Sequence, residues 1–227
     1  MLLAPLAIAC STHSAIDLAQ PSPAVTSTPG LVGSWNLDEG SGSTAADASG
    51  FGNAGTFMGG ATWGPGENGT GVVLNAIDSW VDVPPAPSLV ATAALTIAFW
   101  VKPQDVPATD ERMVSKFLAW DVKFNGSGLY AQLSANSEYA ALQPSAVLDT
   151  WQHIAFTFHL GDVHGYRNGV EVPLQTNTFF PGETLTTGDQ FAIGRTSGGA
   201  FSKGTIDEVR LYRLALTSAQ IAALAAD

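Results

Sequence analysis

Residues 47–55 read DASGFGNAG, and Gly50, Gly52 and Gly55 stand at the spacing G-x-G-x-x-G. Read as a dinucleotide-binding loop, this stretch would assign the chain to a doubly wound α/β fold. That reading demands a buried strand before the first glycine and a helix opening at the last. Neither flank permits it. Upstream runs GSGSTAADAS, without an apolar segment, and downstream runs TFMGGATWGPGENGTG, whose glycines and proline forbid a helix. The glycines belong to an irregular loop, and the fold has to be read from the segments around it.

From Leu31 onward those segments are short and mostly alternate apolar with polar residues. LVGSWNL, GVVLN, SWVDV, LTIAFWV, AWDVKF, GLYAQLS, WQHIAFTF and TIDEVRLYRL all have strand character, with Gly, Pro, Asn or Asp between them. Asn125-Gly126 and Asn168-Gly169 each separate two such segments, as a type I′ hairpin turn requires. Many short strands with frequent turns predict an all-β fold, a two-sheet antiparallel jelly-roll sandwich. One helix is expected, at the C-terminal end. Thr217-Ser-Ala-Gln220 has the capping-box pattern, and Leu216 and Ile221 are placed to form a hydrophobic staple.

A chain of 227 residues is long enough to bury a sizeable core. Charged residues make up 13%, against about 25% in an average soluble domain. The formal net charge is -11, from 20 acidic and 9 basic side chains. With no basic stripe, nucleic acid is excluded as a partner.

Cys10 is the sole cysteine, so an intramolecular disulfide and a cysteine-based zinc site are both excluded. It follows the short apolar stretch MLLAPLAIA, and Ala7-Ile8-Ala9-Cys10 resembles the lipobox of bacterial lipoproteins, which would make Cys10 the lipid attachment site. The same letters fit the A-x-A cleavage pattern of an ordinary secretory signal. The stretch is too short to span a bilayer, which needs roughly 20 residues. The expected organisation is a signal-like segment at 1–10, a Ser/Thr/Pro-rich tether at 11–30 and one folded domain at 31–227, exported to the cell surface or beyond.

Several phrases together resemble one family. GSWNLDEGSGSTAADASGFGNAGTF, SWVDVPPAPSL, LTIAFWVKP, WQHIAFTF, GYRNGVEV, FAIGRTSGG and GTIDEVRLYRLALTSAQIAAL follow in the order of the laminin-G-like, concanavalin A-like jelly-roll domains of the bacterial LamG type. The resemblance covers residues 31–227 and implies two antiparallel sheets face to face, one of them concave. It also implies a structural calcium ion where the Asp-containing loop meets the IDEV strand. The matching positions are Asp47, Asn53 and Asp207, with Gly50 offering a backbone carbonyl. Calcium takes six to eight oxygen ligands, and glycines allow the backbone to turn its carbonyls inward. The same residues also read as a metal-free loop held by Asx-turn hydrogen bonds, with Asp207 accepting from backbone N–H groups.

Related jelly rolls include glycan hydrolases with carboxylates at E-x-D-x-x-E, and no Glu of this chain opens that pattern. Asp207 and Glu208 are adjacent, so on a strand they point to opposite faces. No Ser sits in a G-x-S-x-G elbow, and His153, His159 and His164 have no metal-ligand spacing. A binding face is easier to assemble. In GLYAQLS, Tyr130 and Gln132 lie opposite Leu129 and Ala131, and with His153 and Thr157 they form the candidate ligand platform. The plainer reading of these four is the polar outside of a sheet. The expected function is therefore a non-catalytic module for a carbohydrate or another extracellular ligand. Two alternatives stand beside it: a polysaccharide hydrolase or lyase, and an adhesive protein-contact domain.

Overall fold

The structure is a computed structural model that describes residues 29–75, 77–105, 110–125, 128–133, 139–142, 147–195 and 201–227. Cys10, the signal-like segment, most of the tether and Gly126 lie outside the described residues. In chain order the strands are β1 (Leu31–Trp35), β2 (Thr44–Ala45), β3 (Gly55–Met58), β4 (Thr62–Pro65), β5 (Thr70–Asn75), β6 (Trp80–Val83), β7 (Ala94–Pro103), β8 (Glu111–Lys116) and β9 (Trp120–Asn125). They continue as β10 (Gly128–Leu133), β11 (Tyr139–Leu142), β12 (Gln152–His159), β13 (Asp162–Arg167), β14 (Val170–Val172), β15 (Leu174–Asn177), β16 (Phe191–Ile193) and β17 (Lys203–Tyr212), followed by helix α1 (Ser218–Leu224).

Two antiparallel sheets form a sandwich. The first runs β14-β13-β12-β7-β17-β5-β4, with β1 also paired to β17; the second runs β15-β11-β10-β9-β8-β16-β6-β3-β2. Alternation along the strands decides what faces inward. Leu95, Ile97, Phe99 and Val101 of β7 and Ile154, Phe156 and Phe158 of β12 meet Trp120, Val122 and Phe124 of β9 in one core. At its centre Trp35 of β1 stacks on Phe191 of β16, with ring centroids 4.8 Å apart, and Trp120 meets Phe191 edge-on at 6.0 Å. Such offset and edge contacts add to the burial of the rings themselves.

A second, smaller cluster lies outside the first sheet. Ala98, Ala155, Tyr166, Tyr212, Leu216 and Ile221 pack together there. Ala98 and Ala155 are register partners, and Tyr166 lies opposite Ala155. Two small residues side by side leave a shallow seat for α1. The helix begins as its sequence predicts: Thr217 accepts from the Gln220 backbone and Gln220 reaches back to Thr217 N–H. The expected turn at Asn168-Gly169 also forms, with φ of 49° and 77° as type I′ geometry needs.

Candidate functional site: the loop closure and the outward face of the second sheet

The loop at 47–55 is closed by hydrogen bonds. Asp47 Oδ1 accepts from Ser34 N at 3.0 Å and Ser49 N at 2.9 Å, and Oδ2 accepts from Ser49 Oγ at 2.8 Å and Asn53 N at 2.8 Å. An ionised carboxylate offers about four lone-pair directions, so this one is saturated. Asn53 is buried and uses its remaining groups as fully. Its Nδ2 donates to Val32 O at 2.7 Å, its backbone O accepts from Trp35 Nε1 at 2.8 Å, and its Oδ1 accepts from Ser88 Oγ at 3.0 Å. Gly50 and Gly52 have φ of 87° and 75°, the left-handed conformation that the turn requires and a side chain resists.

Asp207 belongs to a different set of partners. It sits where β17 changes neighbours on one edge, from β5 at Lys203–Ile206 to β1 at Val209–Tyr212. At that switch the ladder bulges and Glu208 takes φ of 50°. The fully buried Asp207 carboxylate fills the gap: Oδ2 accepts from Glu67 N at 2.9 Å and Asn68 N at 3.1 Å, and Oδ1 from Glu208 N at 2.8 Å. Gly66 makes this approach possible, since a Cβ there would stand 2.5 Å from Asp207 Oδ2. Burial pushes the Asp207 carboxyl up to about 7, against the lowering effect of those N–H donors.

The four residues expected to share one calcium are thus divided between two hydrogen-bond sets with no common partner. N–H and O–H donors point at the oxygens a cation would need. Among the described residues no three His, Cys, Asp or Glu side chains converge as metal ligands. This set does not fit a calcium ion. The resemblance implied that the Asp-containing loop lies beside the IDEV strand; the segment that pairs with β17 is β1, and Asp47 is bonded to Ser34 of that strand.

The proposed platform is divided as well. Tyr130 and Gln132 lie on β10 of the second sheet, facing away from core residue Leu129. His153 and Thr157 lie on β12 of the first sheet, with the parity of Ala155, and so face away on the other side of the sandwich. Both are buried. The His153 ring meets Trp100 edge-on at 5.4 Å, and burial, with the Arg210 charge, pushes its pKa down to about 4. Alternation correctly put all four outside the core, but it cannot say which sheet a strand joins.

What accompanies Tyr130 and Gln132 is a charged and aromatic layer. Register places Tyr130 opposite Lys123 and Lys123 opposite Arg112, while Gln132, Asp121, Ser115, Ala192 and Asp82 form the neighbouring row across five strands. At one end Lys123 Nζ lies 2.6 Å from Asp110 Oδ2 and 5.9 Å from the Tyr130 ring centroid. Arg112 Nε lies 3.5 Å from Asp121 Oδ2 and its NH2 lies 3.9 Å from Asp110. Burial raises the Asp121 carboxyl, and Arg112 and Lys123 counter the rise.

At the other end the Arg195 guanidinium lies over Trp80 at 4.2 Å, with Phe117 at 5.5 Å and Phe201 at 5.9 Å. Trp80 Nε1 and Gln190 both donate to Asp82 Oδ1. Four strand steps of about 4.8 Å put Trp80 roughly 19 Å from Tyr130. Ser115 and Asp121 are buried beneath this layer, whereas Tyr130, Gln132, Arg112, Lys123, Trp80, Asp82 and Arg195 are half-buried.

Asp121 and Lys123 could have been found from AWDVKF, where they alternate with Trp120, Val122 and Phe124. Arg195 and Phe201 carry no local signal, because they reach Trp80 from more than 100 positions away in the sequence.

A two-sheet antiparallel sandwich with one short C-terminal helix is a concanavalin A-like architecture. The sequence profile of Laminin_G_3, the concanavalin A-like lectin/glucanases superfamily, matches residues 75–222, and the chain belongs to that family. No curated protein matches it in sequence.

Solved structures match it in fold. Domain 4 of AbnA, a GH43 extracellular arabinanase from Geobacillus stearothermophilus solved in complex with arabinotriose, is 26% identical with a TM-score of 0.68, over 86% of this chain and 98% of that one. The binding domain of Paraclostridial Mosquitocidal Protein 1 is 17% identical with a TM-score of 0.67, over 86% of this chain and 52% of that one. Trypanosoma rangeli sialidase is 20% identical with a TM-score of 0.62, over 87% of this chain and 33% of that one. The latter two show a shared fold. This chain spans the arabinanase domain almost entirely, but only about half of the toxin domain and a third of the sialidase.

Proposed function

We propose that the protein is a non-catalytic carbohydrate-binding module, and that the outward face of the second sheet is its binding surface. One observation carries the reading: the likeness to the arabinanase domain solved with arabinotriose, at 26% identity over nearly that domain's whole length. The chemistry of the face supports it. Half-exposed Tyr130 and Trp80 offer flat apolar surface to sugar rings, and Gln132, Arg112, Lys123 and Asp82 offer donors and acceptors to hydroxyls.

The way the carboxylates of the face are held supports binding without turnover. Asp110 is bound to Lys123, Asp121 lies against Arg112, and Asp82 accepts from Trp80 and Gln190. Glycosidic cleavage needs one protonated acid beside a second carboxylate free to attack or to activate water, and this face pairs each with a donor instead. Export, with acylation of Cys10, belongs to the same proposal on the strength of MLLAPLAIAC; mass analysis of membrane-fraction protein for a lipid adduct on Cys10 tests it.

The function is tested on a glycan array, followed by a search for new reducing ends or unsaturated products from every glycan bound. Binding without products is the expected result. Products would establish the enzyme, and a blank array would remove the carbohydrate reading.

A further inference from the structure

Resting on the carbohydrate reading above, we propose that the outward face of the second sheet selects uncharged glycan chains and rejects acidic ones. With 20 acidic and 9 basic side chains, an acidic surface is what this chain presents on average. The face departs from that average. Among the described residues its cations are Arg112, Lys123 and Arg195 and its carboxylates are Asp82, Asp110 and Asp121, so three positive charges meet three negative ones.

The balance is also local. Lys123 is 2.6 Å from Asp110, Arg112 is 3.5 Å from Asp121, and Arg195 lies on the Trp80 ring whose Nε1 bonds Asp82. A close pair acts on a ligand as a dipole, whose field dies away faster than that of a lone charge. A uronate or sialate that approaches Lys123 or Arg112 meets Asp110 or Asp121 as well. At longer range it meets the field of a chain carrying -11.

A neutral sugar meets favourable chemistry at the same positions. Each hydroxyl both donates and accepts. One row carries the ammonium of Lys123 and the guanidinium of Arg112, and the neighbouring row carries the amide of Gln132 and the carboxylate of Asp82, so a chain of hydroxyls finds both donors and acceptors, in hydrogen bonds strengthened by charge. Tyr130 and Trp80, roughly 19 Å apart by strand spacing, mark out a surface suited to an oligosaccharide rather than a single ring.

The test uses the full chain. A glycan array is read first, and the strongest neutral binder is then titrated calorimetrically in about 0.1 M and about 1 M NaCl, between which the Debye length falls from about 10 Å to about 3 Å. Uncharged glycans should dominate the array, with Kd changing less than about twofold between the two salts. A bound set dominated by uronate, sialate or sulfate groups, weakening more than about tenfold in salt, overturns the inference and leaves the carbohydrate reading standing. A blank array overturns both.

Asp110→Asn removes the partner of Lys123 at a side chain that is one-third exposed, and a thermal melt confirms that the variant folds. It should acquire binding to oligogalacturonate that the unmodified protein lacks. If it keeps its neutral ligand and gains no acidic one, charge balance does not set the selectivity.

Discussion

On the first sheet, the outward row of Tyr166, Ala155 and Ala98 is covered by α1, and its neighbours His153 and Thr157 are buried with it. On the second sheet, the outward row of Gln132, Asp121 and Ser115 lies among charged and aromatic side chains that are only partly buried. Both faces derive from strands that alternate apolar with other residues. The difference comes from what the rest of the chain places on each. One helix, seated on two alanines, converts the first face into a secondary core. The second receives Arg195 and Phe201 from the two sides of the β16–β17 connection and becomes a polar surface studded with rings. An outward position is therefore neither a buried nor a binding position until its cover is known.

The sharpest way to break this contrast is to remove the cover. Ile221 is the fully buried residue of α1, so Ile221→Ala should cost about 4 kcal/mol, measured by chemical denaturation, while glycan affinity on the opposite face stays the same. A loss of affinity as large as the loss of stability would show that the two faces are not independent.

Next in size is the loop closure. Asp47→Ala leaves Ser34 N and Asn53 N without their acceptor and should destabilise by about 3 kcal/mol. Because hydrogen bonds hold the loop, calcium or EDTA should leave the melting temperature of the unmodified protein unchanged. A calcium-dependent rise would return a cation to this region.

His153 gives the contrast a pH signature. Its folded pKa of about 4 lies below the 6.5 of an exposed imidazole, so the unfolded chain takes up the proton first. The stability it contributes is complete above about 6.5 and is lost as pH falls towards 4, by about 3 kcal/mol. Asp207 and Glu111, both raised to about 7 chiefly by burial, act in the opposite sense, losing stability as pH rises from about 4 to about 7. The measurement is therefore a difference: His153→Leu against the unmodified protein, compared by urea denaturation at pH 4.5 and pH 7. Equal differences at the two pH values would show that His153 does not titrate as a buried group.

The smallest effect should come from the second face. Trp80→Ala and Tyr130→Ala should each weaken glycan binding by roughly tenfold, about 1.4 kcal/mol, whereas Thr157→Ala on the covered face should not change it. Calorimetric titration decides between these outcomes, and an equal loss at Thr157 would return the first sheet to the binding site.

Much of the fold was legible because its signals are local. WQHIAFTF and LTIAFWV repeat large apolar residues at every second position, Asn168-Gly169 requires positive φ, and Thr217 with Gln220 caps a helix within four residues. Strands such as β3, GTFM, and β8, ERMVSK, were not. The first is four residues long, and the second carries a register shift between Arg112 and Val114 that breaks its period. The site was legible only in part. Tyr130 and Gln132 were placed outward correctly, but they were grouped with His153 and Thr157 across the full thickness of the sandwich.

The sequence by itself determined the all-β class, the terminal helix and the inward or outward sense of the principal strands, since periodicity and capping are properties of neighbouring residues. Only the tertiary structure decided which outward faces belong to one sheet, which face α1 covers, and that Asp47 and Asp207 close separate hydrogen-bond sets. Those outcomes depend on contacts between separate segments, some of them more than a hundred residues apart as Asp207 and Glu67 are, where pairing and burial, not local preference, set the partners.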